Sequence, residues 1–184
     1  MPSPPDTTLV ERAAAGDAKA FDELGRGAID RMYAIANRIL RDPDSAQDAV
    51  QQALWAAWRD LPNLRDPSRF EAWLRRLLVR CCYEEANRRR RVHLMPLRAP
   101  QEASHVDEIT AVGDREALDQ AFALLTTEHR AVVVLHHWEG LTLVEIADAL
   151  AIPVGTARSR LHYALRRLRE SLGPDRAATR GATA

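Results

Sequence analysis

The stretch "EIADALAIPVGTARSRL", Glu145 to Leu161, decides the fold of the C-terminal half. Two short helical patterns meet there at a proline. Just upstream, Thr142 and Glu145 form a T-x-x-E capping box, in which hydroxyl and carboxyl satisfy two orphan amides reciprocally. The helix this starts, "TLVEIADAL", gathers Leu143, Val144, Ile146, Ala147 and Leu150 into an apolar face. "AIP" ends it, because the residue before a proline avoids the helical region. Pro153 pre-sets φ for a second helix, predicted from about Val154 to Leu172. Its Val154, Ala157, Leu161, Ala164, Leu165, Leu168 and Leu172 recur at three- and four-residue steps and are expected to face the core. Thr156, Arg158, Ser159, Arg160, His162, Tyr163, Arg166, Arg167 and Arg169 are left to face outward, and no acidic residue lies between Arg158 and Arg169.

That arrangement suits the DNA major groove. A groove about 12 Å wide admits one helix, whose N-terminal half reaches base edges. Arginine offers a bidentate fork to guanine or to phosphate, and hydroxyls bond to either. A solvated amphipathic helix in a small bundle would share the periodicity. The capping box, the short turn and the acid-free arginine face together favour a helix-turn-helix that binds DNA.

Outward from this motif the chain reads as all-α, two small helical domains joined by a flexible linker. "TTEHRAVVVLHHWEG" precedes the motif, with Thr126 or Thr127 as N-cap and Gly140 as terminator. Asp114 is a plausible cap for "REALDQAFALL". From Val92 to Asp114 the pattern is polar and broken by prolines, hence a linker. Before it, helical patterns run from about Leu9 to Asn87. One stripe holds Phe21, Leu24, Ile29, Met32, Tyr33, Ile35, Ala36 and Leu40. Another holds Ala46, Val50, Leu54, Ala57 and Trp58. A third holds Phe70, Trp73, Leu74, Leu77, Leu78, Cys81 and Ala86. "PNLRDPSRF" contributes a structured turn or loop, because it carries two prolines. The domains are thus 9–91, a linker 92–114, and 115–173.

Composition bounds the function. The chain of 184 residues has a formal net charge of zero, which argues against a uniformly basic nucleic-acid binder. Lys19 is the only lysine, so arginine abundance fits GC-rich codon bias and only arginine placement is informative. Cys81 and Cys82 are adjacent and form no C-x-x-C signature, so they read as buried free thiols. No signal peptide and no apolar run of roughly 20 residues is visible, so no membrane insertion and a cytoplasmic location are expected. His105, His129, His136, His137 and His162 make no H-x-x-x-H or H-E-x-x-H arrangement, and no glycine-rich phosphate loop exists. Glu84 and Glu85 read as solvated partners of nearby arginines. No enzyme, cofactor or metal site is expected.

"LTLVEIADALAIPVGTARSRLHYALRRLRE" resembles the promoter-reading C-terminal region of bacterial RNA polymerase sigma factors, in particular the extracytoplasmic-function (ECF) group. "RDPDSAQDAVQQALWAAWRDLPNLRDPSRFEAWLRRLLVRCCYEEANRRRR" is similar to that group's second region. The resemblance spans roughly Leu9 to Leu172. It implies a factor that binds core RNA polymerase, at the clamp helices and the flap, and directs it to promoter DNA. The helix from Val154 would read the −35 element through Thr156, Arg158, Ser159, Arg160, His162 and Tyr163. The first domain would recognise the −10 element and hold a strand open. Asn63, Leu64 and Arg65 would sit in the base-capturing loop, with Arg75, Arg76, Arg80, Arg88, Arg89, Arg90 and Arg91 tracking phosphates. Asp44, Asp48, Gln51, Gln52 and Trp55 would dock on the polymerase. Trp58 lies on an apolar stripe and reads as core rather than contact; Trp73 and Trp138 also read as core. An anti-sigma factor is an expected partner.

The chain departs from the family pattern at several positions. Ser45, Gln47 and Gln52 stand where acidic residues are common, and Arg80 where asparagine is frequent. Ala151 stands where glycine ends the helix, and left-handed geometry there would cost an alanine about 1 kcal/mol. Two other readings compete. One is a self-sufficient helix-turn-helix regulator whose first domain senses or dimerises. The other is an anti-sigma antagonist or scaffold, against which the acid-free arginine face weighs.

Overall fold

A computed structural model of the chain describes residues 7–93 and 112–172, all helices and turns without strand. These residues fall into two units, one within residues 1–96 and the other within 97–184. Residues 94–111 of the expected linker, and the terminal tails, lie outside the described residues.

In the first unit α1 (Thr7–Ala14) ends at Gly16, whose φ of 95° lets the chain reverse. Asp17 then caps α2 (Ala18–Leu40), accepting from the backbone N–H groups of Lys19 at 3.0 Å and Ala20 at 3.2 Å. Arg41 closes α2 in the left-handed region, φ 57°. Asp42 caps α3 (Pro43–Asp60) by accepting from Ser45 N at 2.9 Å. Partial burial pushes the Asp42 carboxyl upward, but the Ser45 hydrogen bonds and Arg89 outweigh it and hold it below the usual range. Helix α4 (Phe70–His93) follows after a loop.

Helix α3 packs against both α2 and α4. It can do so closely because Ala46, Ala49, Ala53 and Ala57, all fully buried, form a smooth face along one side. Met32, Ile35, Ile39, Leu74 and Leu78 fill the space around it. Ile29 and Tyr33 of the first stripe are partly exposed, as is Trp58, which sits at the rim of the core with its ring edge-on to Phe21 at 5.0 Å.

The second unit comprises α5 (Val112–Ala123), α6 (Thr127–Val133), a wide turn over Val134–Trp138, α7 (Leu143–Leu150) and α8 (Val154–Leu172). Helix α5 begins at Val112, so Asp114 lies inside its first turn rather than capping it. Thr126 is the N-cap of α6. Ala131 to Leu135 are consecutively buried because this segment runs through the middle of the unit. Bonding then widens to i→i+5, with Glu139 N donating to Val134 O at 3.1 Å. That change of period carries Trp138 outside: it is 57% exposed, contrary to its reading as core.

Gly140, φ 70°, turns the chain, and His136 donates from Nδ1 to the Leu141 carbonyl at 2.9 Å to pin the turn. The capping box is present: Glu145 N donates to Thr142 Oγ1 and Thr142 N to Glu145 Oε2 at 2.8 Å. Ala151 is left-handed, φ 50°, and Ile152 N donates to Ala147 O at 3.0 Å, a Schellman ending with alanine in glycine's place. Pro153 supplies the carbonyl that starts α8, accepting from Ala157 N at 3.1 Å. Ala157, Leu161, Ala164 and Leu168 are buried as expected, whereas Val154, at the helix tip beyond the reach of α7, is 37% exposed.

Candidate nucleic-acid interface

Helix α8 presents its polar face outward from the core packed by α5, α6 and α7. Arg158, Ser159, His162 and Tyr163 are exposed, while Thr156 and Arg160 are half-buried. Ser159 donates to the Thr156 carbonyl at 3.0 Å, which sets its hydroxyl against the helix. Arg158 and Arg160 meet no acidic side chain among the described residues. Further along, Arg166 and Arg167 share Glu170 at 3.6 and 3.7 Å. Arg158 and Arg160 thus place unpaired positive charge in the N-terminal half of α8, where a helix in the groove meets base edges. Arg169 in its last turn is likewise without an ion pair among the described residues.

The loop between α3 and α4 is built from two tight turns, Leu61–Asn63 and Pro67–Arg69. Buried Leu61 and Phe70 anchor its two ends, and α1 packs behind both turns. Asp66 accepts from Ser68 N at 3.0 Å and Ser68 Oγ at 2.6 Å, and that hydroxyl bond holds its carboxyl below the usual range. Between the anchors Asn63 and Arg65 are exposed and Leu64 half-buried, with no side-chain partner for Asn63 or Arg65 among the described residues. A rigid frame thus presents one unpaired amide and one unpaired guanidinium. An amide so placed can pair with the edge of an unstacked base.

Arg76 and Arg80 share a face of α4 beyond this loop. Arg76 is exposed, and Arg80 is paired with Glu84 at 3.1 Å. Arg88 does not join them. It lies roughly 120° round the helix from Arg76 and turns toward α3, where it donates to Asp48 at 2.8 Å and to Glu85 at 2.8 Å. The Glu85 bond is foremost in raising the Arg88 pKa above its ordinary value. Glu85 is not a solvated partner: it is 2% exposed, facing α3, with Ser45 Oγ 3.4 Å from its Oε1. The spacing carried a signal for this: Glu85 follows Leu74, Leu78 and Cys81 at four-, three- and four-residue steps, on the buried stripe of α4. Glu84, its neighbour, is solvated as read.

On α3, opposite the alanine face, Asp44, Gln51, Gln52 and Trp55 are exposed and Asp48 is half-buried. Trp55 is 74% exposed, and tryptophan is among the residues enriched where protein interfaces concentrate their binding energy. Trp58 lies a turn away at the edge of the same surface, so it too is open to contact, contrary to its reading as core. Cys81 and Cys82 are buried and free. Among the described residues no helix is long and apolar enough to cross a membrane.

Comparison with known proteins agrees with this geometry. The family model "Sigma-70 region 2" matches residues 28–92, which hold α3, the loop and α4, and "Sigma-70, region 4" matches residues 121–170, which hold α6 to α8. The RNA polymerase sigma-E factor of Streptomyces avermitilis is 35% identical over 159 residues, covering 86% of this chain and 88% of that one. The ECF RNA polymerase sigma factor SigL of Mycobacterium tuberculosis is 34% identical over 167 residues, covering 89% and 94%. Among solved structures, the sigma factor RpoE in complex with the anti-sigma factor NepR, from Bartonella quintana, matches at 25% identity with a TM-score of 0.69. That match covers 86% of this chain and 99% of that one.

Proposed function

The chain belongs to the extracytoplasmic-function group of RNA polymerase sigma factors, and on that premise we propose how its side chains divide the work of transcription initiation. As a sigma factor it binds core RNA polymerase and recognises promoter DNA. It acts as a specificity subunit with no chemistry of its own, in the cytoplasm where the polymerase works.

Residues 115–173 read the −35 element. Thr156, Arg158, Ser159, Arg160, His162 and Tyr163 make the base and phosphate contacts, and the observation that carries this assignment is that exposed Arg158 and half-buried Arg160 meet no acidic side chain among the described residues. Residues 9–91 bind the −10 element, with Asn63, Leu64 and Arg65 capturing an extruded base and Arg76 and Arg80 following phosphates. Arg88 joins them only after leaving Asp48 and Glu85. The outer face of α3, Asp44, Asp48, Gln51, Gln52 and Trp55, docks on the clamp helices, and the second unit meets the flap. An anti-sigma factor covers these same faces when the factor is idle; the similarity to a sigma factor solved with its anti-sigma factor supports that partner.

Separation of function tests the division. Trp55→Ala should weaken co-purification with core polymerase and leave the promoter preference of the residual holoenzyme intact. Arg158→Ala or Arg160→Ala should leave polymerase binding intact and cost about 1–3 kcal/mol of discrimination where the arginine reads a base. Equal loss on every sequence would make that arginine a phosphate contact. Loss of polymerase binding from the α8 substitutions alone would reverse the assignment.

A further inference from the structure

Tyr163 stands on the exposed face of α8, yet its ring is held. It stacks on the imidazole of His129 with centroids 4.7 Å apart and planes inclined by 28°. The Arg166 guanidinium, one turn along α8, lies 5.4 Å from the same ring centroid. His129 comes from a different helix, the first turn of α6. There its backbone N–H donates to Oγ1 of the N-cap Thr126 at 3.4 Å, and its ring Nδ1 lies 3.0 Å from that same oxygen. The backbone bond alone suffices for capping. The ring contact adds something else, because it fixes the plane of the imidazole against which the phenol rests.

A tyrosine on an open helix face ordinarily divides its time among staggered rotamers. Here a stack from α6 and a cation from α8 select one of them, while the residue stays 40% exposed and its hydroxyl carries no hydrogen bond among the described residues. An aromatic contact of this kind favours the held rotamer about two- to tenfold. Ordering done in advance need not be repeated on binding.

We propose that His129 is a positioning residue for DNA reading: anchored to the α6 cap at Thr126, it holds Tyr163 of α8 in the rotamer that meets the base edges. It thereby sets the sequence preference beneath Tyr163 without touching a base itself. The proposal rests on α8 being the −35 reader.

The test uses the full chain reconstituted with core RNA polymerase and a pool of duplexes randomised over the length of a promoter, with the retained duplexes sequenced. Arg158→Ala and Tyr163→Ala each locate the positions their side chains read. His129→Ala is expected to flatten the preference at the Tyr163 positions alone, about two- to tenfold, and to add nothing in combination with Tyr163→Ala. His129→Phe, which keeps a stacking ring, restores most of it. A merely structural role would lower thermal stability and total retention without changing base preference. Unchanged preference in His129→Ala, additive losses in the double variant, or failure of His129→Phe to rescue would overturn the proposal. If Arg158→Ala and Tyr163→Ala leave every preference intact, the premise about α8 fails, and the proposal with it.

Discussion

Arg88 and Glu85 are joined twice on one helix, Nε to Oε2 and Nη2 to Oε1, both at 2.8 Å, and the same Nη2 reaches Asp48 on α3 at 2.8 Å. One guanidinium therefore ties the C-terminal half of α4 to α3. The two arms differ in energy because their carboxyls differ in burial. Asp48 is half in water, where an ion pair contributes about 0–1 kcal/mol. Glu85 is 2% exposed, and a buried acceptor short of a donor costs about 1–3 kcal/mol. Arg88→Ala is accordingly expected to lower the stability of the first unit by the larger amount and Asp48→Ala by much less. Chemical denaturation of the two variants side by side checks the order.

Ala151 holds a left-handed conformation, φ 50°, at the end of α7, where glycine would sit without strain. Ala151→Gly should stabilise the second unit by about 0.5–1 kcal/mol, since the relief of strain exceeds the flexibility gained by the unfolded chain. Thermal unfolding should show a rise of a few degrees. No rise would mean that the added flexibility of the unfolded chain offsets the relieved strain.

Two histidines make the second unit sensitive to acid. Burial, then the nearby Arg160, lowers the His129 pKa; Glu128 opposes this. Burial, then His136, lowers that of His137. A base whose folded pKa lies below its unfolded value takes up its proton more readily when unfolded. Stability should therefore fall as pH drops below the ordinary histidine value of about 6.5 and stop falling once the folded pKa is passed. Unfolding measured from pH 7.5 to 5 should show this slope, and His129→Gln should reduce it even if the variant is less stable throughout.

Cys81 and Cys82 lie in the packed side of α4. Burial raises both thiol pKa values, with Glu84 adding to the effect at Cys81 and Cys81 itself adding to it at Cys82. Neither should react appreciably with iodoacetamide at pH 8 in the native protein, and both should react in denaturant. Rapid native labelling would show that α4 opens locally.

Much of the fold was legible because its signals are local. Thr142 with Glu145, Gly140, Pro153 and Thr126 each act within a few residues, and each performs in the structure the role its chemistry suggests. The polar face of α8 was equally legible, since helical spacing alone separates Arg158 and Arg160 from Leu161 and Ala164. What was not legible depends on packing between distant segments. Glu85 falls on the apolar stripe of α4, but its link to Asp48 through Arg88 spans forty residues. Trp138 faces outward because a single widened turn shifts the period, which no apolar count reveals. The His129–Tyr163 stack joins two helices whose separate patterns look complete.

Reconstitution with core RNA polymerase tests the central claim most directly. The purified chain, mixed with core enzyme and passed over a gel-filtration column, should co-elute with it, and the complex should start transcription at discrete sites on genomic fragments where core enzyme alone does not. Failure to bind the core, together with tight binding of the chain alone to a palindromic duplex, would contradict the account and make the protein a self-sufficient regulator.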